Sequence, residues 1–196
     1  MVRRRPRAQS VLQMEVAECG AACLTMVLGA HGRHIALEEA RERCGTSRDG
    51  VDAAALARAA ESYGLAVKAL RREPETLADV PLPAILHWSF NHFVVLVEMS
   101  RTQVVILDPA SGRRTVDAAE MGRCFTGLVL AMEPAEAFVR GGEPPSVAGA
   151  LLGHLRGSWD AVGLVFLCGL AAMIPGLALS GAVATFADHV IGQNRV

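Results

Sequence analysis

The spacing of apolar positions changes character twice along this chain. From Ala21 to Leu28 the apolar residues Ala21, Ala22, Leu24, Met26, Val27 and Leu28 recur as a helix requires, and the pattern predicts a helix over Glu18–Ala30, stopped by Gly32. A second short helix is expected over Leu37–Cys44. A third is expected over Val51–Tyr63, with Ser47 or Asp49 available as its cap and Gly64 as its stop. The period then shortens to two. Strands are expected at Leu65–Leu70, Ala84–Trp88, His92–Met99, Val104–Asp108 and Gly127–Met132, with SRTQ at hairpin length between the third and fourth. Helices first and strands afterwards predict an α+β fold, with N-terminal helices packed on an antiparallel sheet.

A third texture begins near Arg140. Residues 139–160 read as a linker, GGEPPS, followed by a short amphipathic piece, Val147–Trp159. Ala161–Ala187 then carries no charged side chain. A bilayer core takes about 20 apolar residues, and an internal proline such as Pro175 is tolerated there, so 161–187 is expected to be one transmembrane helix. Arg140 and Arg156 precede it and only Arg195 follows, which predicts the N-terminal domain on the cytoplasmic side. Residues 188–196 form a tail. Residues 1–10 read as a disordered basic arm, leaving 11–138 as the folded domain.

Composition narrows the chemistry. The chain has 196 residues, 52% of them hydrophobic, enough for one full core. Its net charge is −1, so no nucleic acid is expected as partner. Five cysteines, an odd number, with no signal peptide before them, do not form a secreted disulfide framework; the thiols are expected free, in a reducing cytosol. Cys19 and Cys23 lie one helical turn apart, but no second Cys/His pair completes a site, and no metal is expected.

Cys19 is the residue that asks for an explanation. It stands at the predicted start of a helix, at its edge rather than in the middle of its packing face. Helix N-termini carry unpaired N–H groups and partial positive charge, which stabilise a thiolate. Gly20 beside it would let a substrate backbone approach. His92 opens the strand HFVVLVEM and Asp108 ends VVILD. The hairpin brings those two ends together as cross-strand or diagonal neighbours, as an acid that orients an imidazole requires. Gln13 is the candidate side-chain donor of an oxyanion hole, with the backbone N–H of Cys19. A cysteine at a helix edge is more often plain core. His31 and His87 are alternatives for the base, and Asp108 before Pro109 is also a natural turn starter. Cys44, Cys124 and Cys168 read as structural.

The segments QMEVAECGAACLTMVL, SRDGVDAAALARAAESYGL, LPAILHWSFNHFVVL, LDPASGRR and FTGLVLAMEP together resemble the papain-like peptidase domain of bacteriocin-processing ABC exporters, over Val11–Phe138. The resemblance implies a cysteine endopeptidase with Cys19 as nucleophile, His92 as base, Asp108 as orienting acid and Gln13 as oxyanion donor. It implies removal of leader peptides after a Gly-Gly or Gly-Ala pair from bacteriocin or peptide precursors, with a narrow site for which Trp88 and Phe90 are candidate walls. AAMIPGLALSGAVATFADHVIG is similar to the first membrane helix of such exporters. No G-x-x-x-x-G-K-[ST] loop is present, so no cofactor is expected in this chain; ATP belongs to the nucleotide-binding domain of a full exporter, which is expected to be homodimeric. The chain is accordingly expected to be a fragment of an exporter in a bacterial plasma membrane, crossing it once. Two other classes use the same residues: a docking domain that binds the precursor without cutting, and a transglutaminase-like acyltransferase.

Overall fold

The computed structural model describes residues 8–48, 50–100, 103–144 and 159–186. Contacts divide the chain into two units, Met1–Pro144 and Pro145–Val196. In the first, helices α1 (Cys19–Ala30), α2 (Leu37–Cys44) and α3 (Ala53–Ser62) precede strands β1 (Leu65–Arg71), β2 (Ala84–Trp88), β3 (His92–Met99), β4 (Val104–Asp108) and β5 (Gly112–Val116). Helix α4 (Ala118–Cys124) and strand β6 (Phe125–Pro134) complete it. The six strands form one sheet in the order β1-β6-β2-β3-β4-β5, and every pairing is antiparallel. The α+β architecture is the one expected.

Both faces of the central strands are covered. Successive side chains on a strand alternate between faces. Ile85, Phe93, Val95, Leu107, Leu130 and Met132 join Leu24, Val27, Leu28 and Leu56 in one core cluster, so α1 and α3 lie on that face. Leu86, Trp88, Val94, Leu96, Ile106 and Val129 form a second cluster with Leu77 and Val80 of the 3-10 turn Pro74–Asp79 and with Met121 of α4. This is why β2 and β3 read as near-continuous apolar runs. A strict polar alternation marks a strand with one wet face.

Several boundaries differ from expectation, each for a local reason. Asp52, rather than Ser47 or Asp49, caps α3, its side chain accepting the Ala55 N–H at 2.6 Å. Ser47 instead closes a small turn with Gly50. Gly64 follows α3 at φ +86°, where a Cβ would come within 2.8 Å of the Ala137 backbone, so the residue must be glycine. Strand β5 and helix α4 were not expected. β5 is an edge strand in which Arg113 and Thr115 are exposed and Val116 is the one fully buried residue. α4 spans only seven residues and is set by Asp117, which accepts the Glu120 N–H at 2.7 Å. The folded unit also runs past Phe138, because Gly141 accepts from His34 N–H at 2.8 Å and donates to the Gly32 carbonyl at 3.1 Å.

In the second unit, α5 (Trp159–Phe186) is a 28-residue helix continuous through Pro175. Trp159–Ala184 has a mean hydropathy of 2.3 and is long and apolar enough to cross a membrane. The expected basic arm falls largely on residues 1–7, the amphipathic piece, Val147–Trp159, on 147–158 but for its last residue, and the tail on 188–196, and these lie outside the described residues.

Candidate active site

The site begins with the segment that leads into α1. A 3-10 turn, Val16–Glu18, delivers the chain to Cys19, the first residue of the helix. The helix that follows is buried from Cys19 to Leu28, on all sides rather than along a stripe. Cys19 itself is only 4% exposed and belongs to the first core cluster, so the expectation of a thiol on an outer edge is corrected. Its position is terminal along the helix axis, not peripheral to the fold. Gly20 also has a different reason from the one expected. A Cβ there would sit 2.2 Å from Val51 Cγ1 and within 3.7 Å of Phe93 and Leu56, so Gly20 lets α1 seat against the core rather than admitting a substrate.

Sheet topology supplies the partners. His92 opens β3 and Asp108 closes β4. The register pairs Val95 with Leu107 and Leu96 with Ile106, which puts His92 and Asp108 on one face as diagonal neighbours. His92 Nε2 lies 2.8 Å from Asp108 Oδ1. The other ring nitrogen is left for Cys19, and each of the two groups shifts the titration of the other. Asp108 is buried and well held. Oδ1 also accepts from Ala110 N–H at 2.9 Å, Oδ2 accepts from Ser111 Oγ at 3.0 Å, and Arg114 Nε lies 3.4 Å from Oδ2. Arg114 in turn pairs with Glu120.

The electrostatics follow from this line of groups. Burial pushes the Cys19 thiol up, but the hydrogen bond to His92, the Phe93 and Gly20 backbone N–H groups and the charge on His92 together bring it below its usual range. The contact with Cys19 raises His92; burial opposes it and Asp108 adds to it. Burial raises Asp108, but its bonds to His92, Ala110 and Ser111 outweigh that and leave it lowered. Cys23, one turn further in, is pushed well up by burial and by the nearby charges of Cys19 and Asp108. Burial pushes Cys44 up to about 11. One thiol of the three is therefore set for chemistry.

The remaining candidates fall into different places. Gln13 donates its N–H to the Pro109 carbonyl at 2.9 Å, which ties it to the loop after Asp108, and its side-chain oxygen is buried with no hydrogen-bond partner among the described residues. Trp88 pairs with His92 in the β2–β3 register, but it is buried in the second cluster and has no open surface for a ligand. Phe90 is 82% exposed at the tip of that hairpin, where Ser89 and Phe90 both have positive φ, 48° and 63°. His87 is engaged with Thr126 at 2.9 Å and His31 packs edge-on against Phe138, so neither shares the site. Sequence reasoning missed Glu18, Arg41, Ser111 and Arg114. Glu18 carried a signal: it stands at the third position of a helical turn, where a carboxylate folds back on the preceding N–H groups. Arg114 carried none, because no strand was expected over Gly112–Val116.

Residues 7–137 match the Peptidase C39 family. The colicin V secretion/processing ATP-binding protein CvaB of Escherichia coli is 42% identical over 132 residues, which are 67% of this chain and 19% of that protein. The chain thus spans about a fifth of the length of the curated relatives it matches. Among solved structures, a double glycine motif protease from an AMS/PCAT transporter, crystallised with the leader peptide, is 43% identical with a TM-score of 0.65, covering 68% of this chain and 96% of that one. The peptidase domain of Streptococcus ComA shares the fold at 23% identity and a TM-score of 0.62, covering 65% of this chain and 99% of that one. With the family matched across nearly all of the first folded unit, and with a lowered thiol, an imidazole and a carboxylate joined in line, this chain belongs to the Peptidase C39 family and is a cysteine peptidase.

Proposed function

We propose that this chain removes double-glycine leader peptides from bacteriocin or related peptide precursors, as the peptidase part of an ABC-type exporter. The observation that carries the reading is the His92–Asp108 hydrogen bond beside Cys19, whose thiol His92 lowers, in a chain 43% identical to a protease solved with such a leader.

The chemistry needs only these side chains. The Cys19 thiolate attacks the carbonyl carbon of the second glycine, forming a C–S bond as the carbonyl π pair moves to oxygen. The Gln13 side-chain amide and the Cys19 N–H bind that oxyanion. The His92 imidazolium gives its proton to the departing amine as the C–N bond breaks, leaving a thioester and a free core peptide. Water, deprotonated by His92, then hydrolyses the thioester and restores the thiolate–imidazolium pair. Asp108 holds the ring so that one nitrogen faces the thiol throughout. No cofactor enters these steps; ATP would serve export, in a domain beyond this chain. Phe90, exposed two residues before His92, is the wall candidate that a substrate can reach. α5 would cross the plasma membrane once, with the peptidase unit on the cytoplasmic side, and the exporter would act as a homodimer.

A docking domain has no use for a thiol lowered by a bonded imidazole, and the geometry disfavours that alternative. Incubation with a double-glycine precursor, read by mass spectrometry, tests the reading. A new core peptide with its N-terminus after the second glycine is expected. A precursor bound but left whole, or one joined to an amine, would overturn it.

A further inference from the structure

Glu18 is the most buried charged residue described in the chain, at 1% exposure, and the chemistry above does not use it. A buried carboxylate is costly unless its oxygens are bonded. Here one oxygen, Oε2, accepts two backbone N–H groups, from Met14 at 2.7 Å and Glu15 at 2.9 Å. The other, Oε1, is met by Arg41 Nη1 of α2 at 2.8 Å, and the same guanidinium reaches Glu15 at 3.9 Å. The two N–H groups directly after Gln13 are therefore fastened to the residue directly before Cys19.

The other side of Gln13 is also held, through its own N–H on the Pro109 carbonyl. Three consecutive N–H groups, those of Gln13, Met14 and Glu15, are thus fixed by two anchors. One is the loop that follows Asp108; the other is the entry to α1. None of these three bonds belongs to a regular helix or strand. Ala8 and Val11 pack against the core just before this segment, but Leu12, Met14 and Val16 point into solvent, at 59%, 86% and 87% exposure, so residues 12–16 have little apolar packing of their own to hold them. Its position depends on hydrogen bonds, and Glu18 makes two of the three.

We infer that Glu18, neutralised by Arg41, is a positioning residue that sets the Gln13 amide relative to the Cys19 nucleophile. The inference rests on Gln13 being the oxyanion donor. An oxyanion hole works only when its donors stand about 2.7–3.1 Å from where the charge develops, so a loosened segment loses transition-state stabilisation while substrate binding persists.

The test uses the full chain in detergent micelles, with a double-glycine precursor for turnover and iodoacetamide for the thiol. Alkylation displaces iodide from carbon and forms no oxyanion, so it reports the Cys19–His92 pair alone. Glu18→Ala is expected to lower kcat at least tenfold, with KM and the alkylation rate within about threefold of wild type. Glu18→Gln keeps an oxygen able to accept both N–H groups and is expected to restore most of kcat. Glu18→Ala added to Gln13→Ala is expected to cause no further loss. Unchanged kcat in Glu18→Ala, losses that multiply in the double variant, or alkylation that falls in step with kcat would each overturn the inference. A Gln13→Ala variant with full kcat would overturn the oxyanion reading itself, and the positioning role with it. A loss in Gln13→Ala but none in Glu18→Ala leaves that reading standing and removes only the positioning role.

Discussion

His92 and Asp108 belong to neighbouring strands that run in opposite directions, one at its strand's first residue and the other at its strand's last, and Nε2 meets Oδ1 at 2.8 Å. The carboxylate is fixed from four directions, by His92, Ala110, Ser111 and Arg114. A ring held by so constrained an acid cannot turn away from the thiol. Orientation is therefore built into the sheet before any substrate arrives.

Cys19→Ala should abolish cleavage and leave precursor affinity within a few-fold of wild type. The thiol is the one group that can form the bond to carbon, and its loss removes two atoms' worth of packing at most. Mass spectrometry for cleavage and fluorescence anisotropy for binding check this; processing near the wild-type rate would remove Cys19 from the mechanism.

Iodoacetamide should label Cys19 ahead of Cys23 and Cys44, whose thiols burial holds in the protonated form. The pH dependence has two limbs. Cys19 is lowered, so reactivity should rise at a pH below the ordinary thiol range near 8.5; His92 is raised, so the thiolate–imidazolium pair and cleavage should persist above the ordinary imidazole range near 6.5 and fall only beyond it. Peptide mapping across pH gives both. Even labelling, or a single limb centred near 8.5, would exclude an activated pair.

Asp108→Asn should reduce kcat less than His92→Ala does. The amide can still accept one hydrogen bond but cannot balance an imidazolium. The same substitution should change acid stability. Asp108 is lowered in the folded state, so its contribution is present above the unfolded carboxylate range, near 3.9, and is lost as pH falls through the folded value. The variant lacks that contribution at every pH, so its stability should fall less steeply in acid than the wild type's. Denaturant midpoints at pH 3, 5 and 7 would show it; parallel curves would not.

Gly20→Ala should destabilise the fold by about 1–3 kcal/mol, the usual cost of overpacking, because the new methyl would meet Val51. Gly20→Ala with Val51→Ala should recover much of the loss. If the single variant is as stable as wild type, and impaired only in KM, then Gly20 serves the substrate after all.

A chain of residues 1–144 should be soluble and should cleave the precursor at a rate near that of the full chain, without ATP. The core clusters, the sheet and every proposed catalytic group lie in it, and the cut respects the bonds between Gly141 and the Gly32–His34 turn. Fractionation and turnover of both forms test this. A folded but inactive product would mean that the hydrophobic helix contributes to catalysis.

Much of this was legible in the residues alone. Periodicity placed α1 and four of the strands within a residue or so, because a buried face imposes its spacing on the chain whatever lies opposite. His92 and Asp108 could be paired because a hairpin joined by a few residues leaves little freedom of register. β5 and α4 escaped notice for the converse reason: an edge strand with one fully buried residue and a seven-residue helix bury too little to leave a pattern. Only the tertiary structure decided that Cys19 is buried, that Gly20 serves Val51 and that Trp88 is core while Phe90 is not. Those outcomes depend on which distant side chain occupies the neighbouring space. The same holds for Glu18 and Arg41, on the α1 entry and on α2, whose ion pair forms only when the two elements dock.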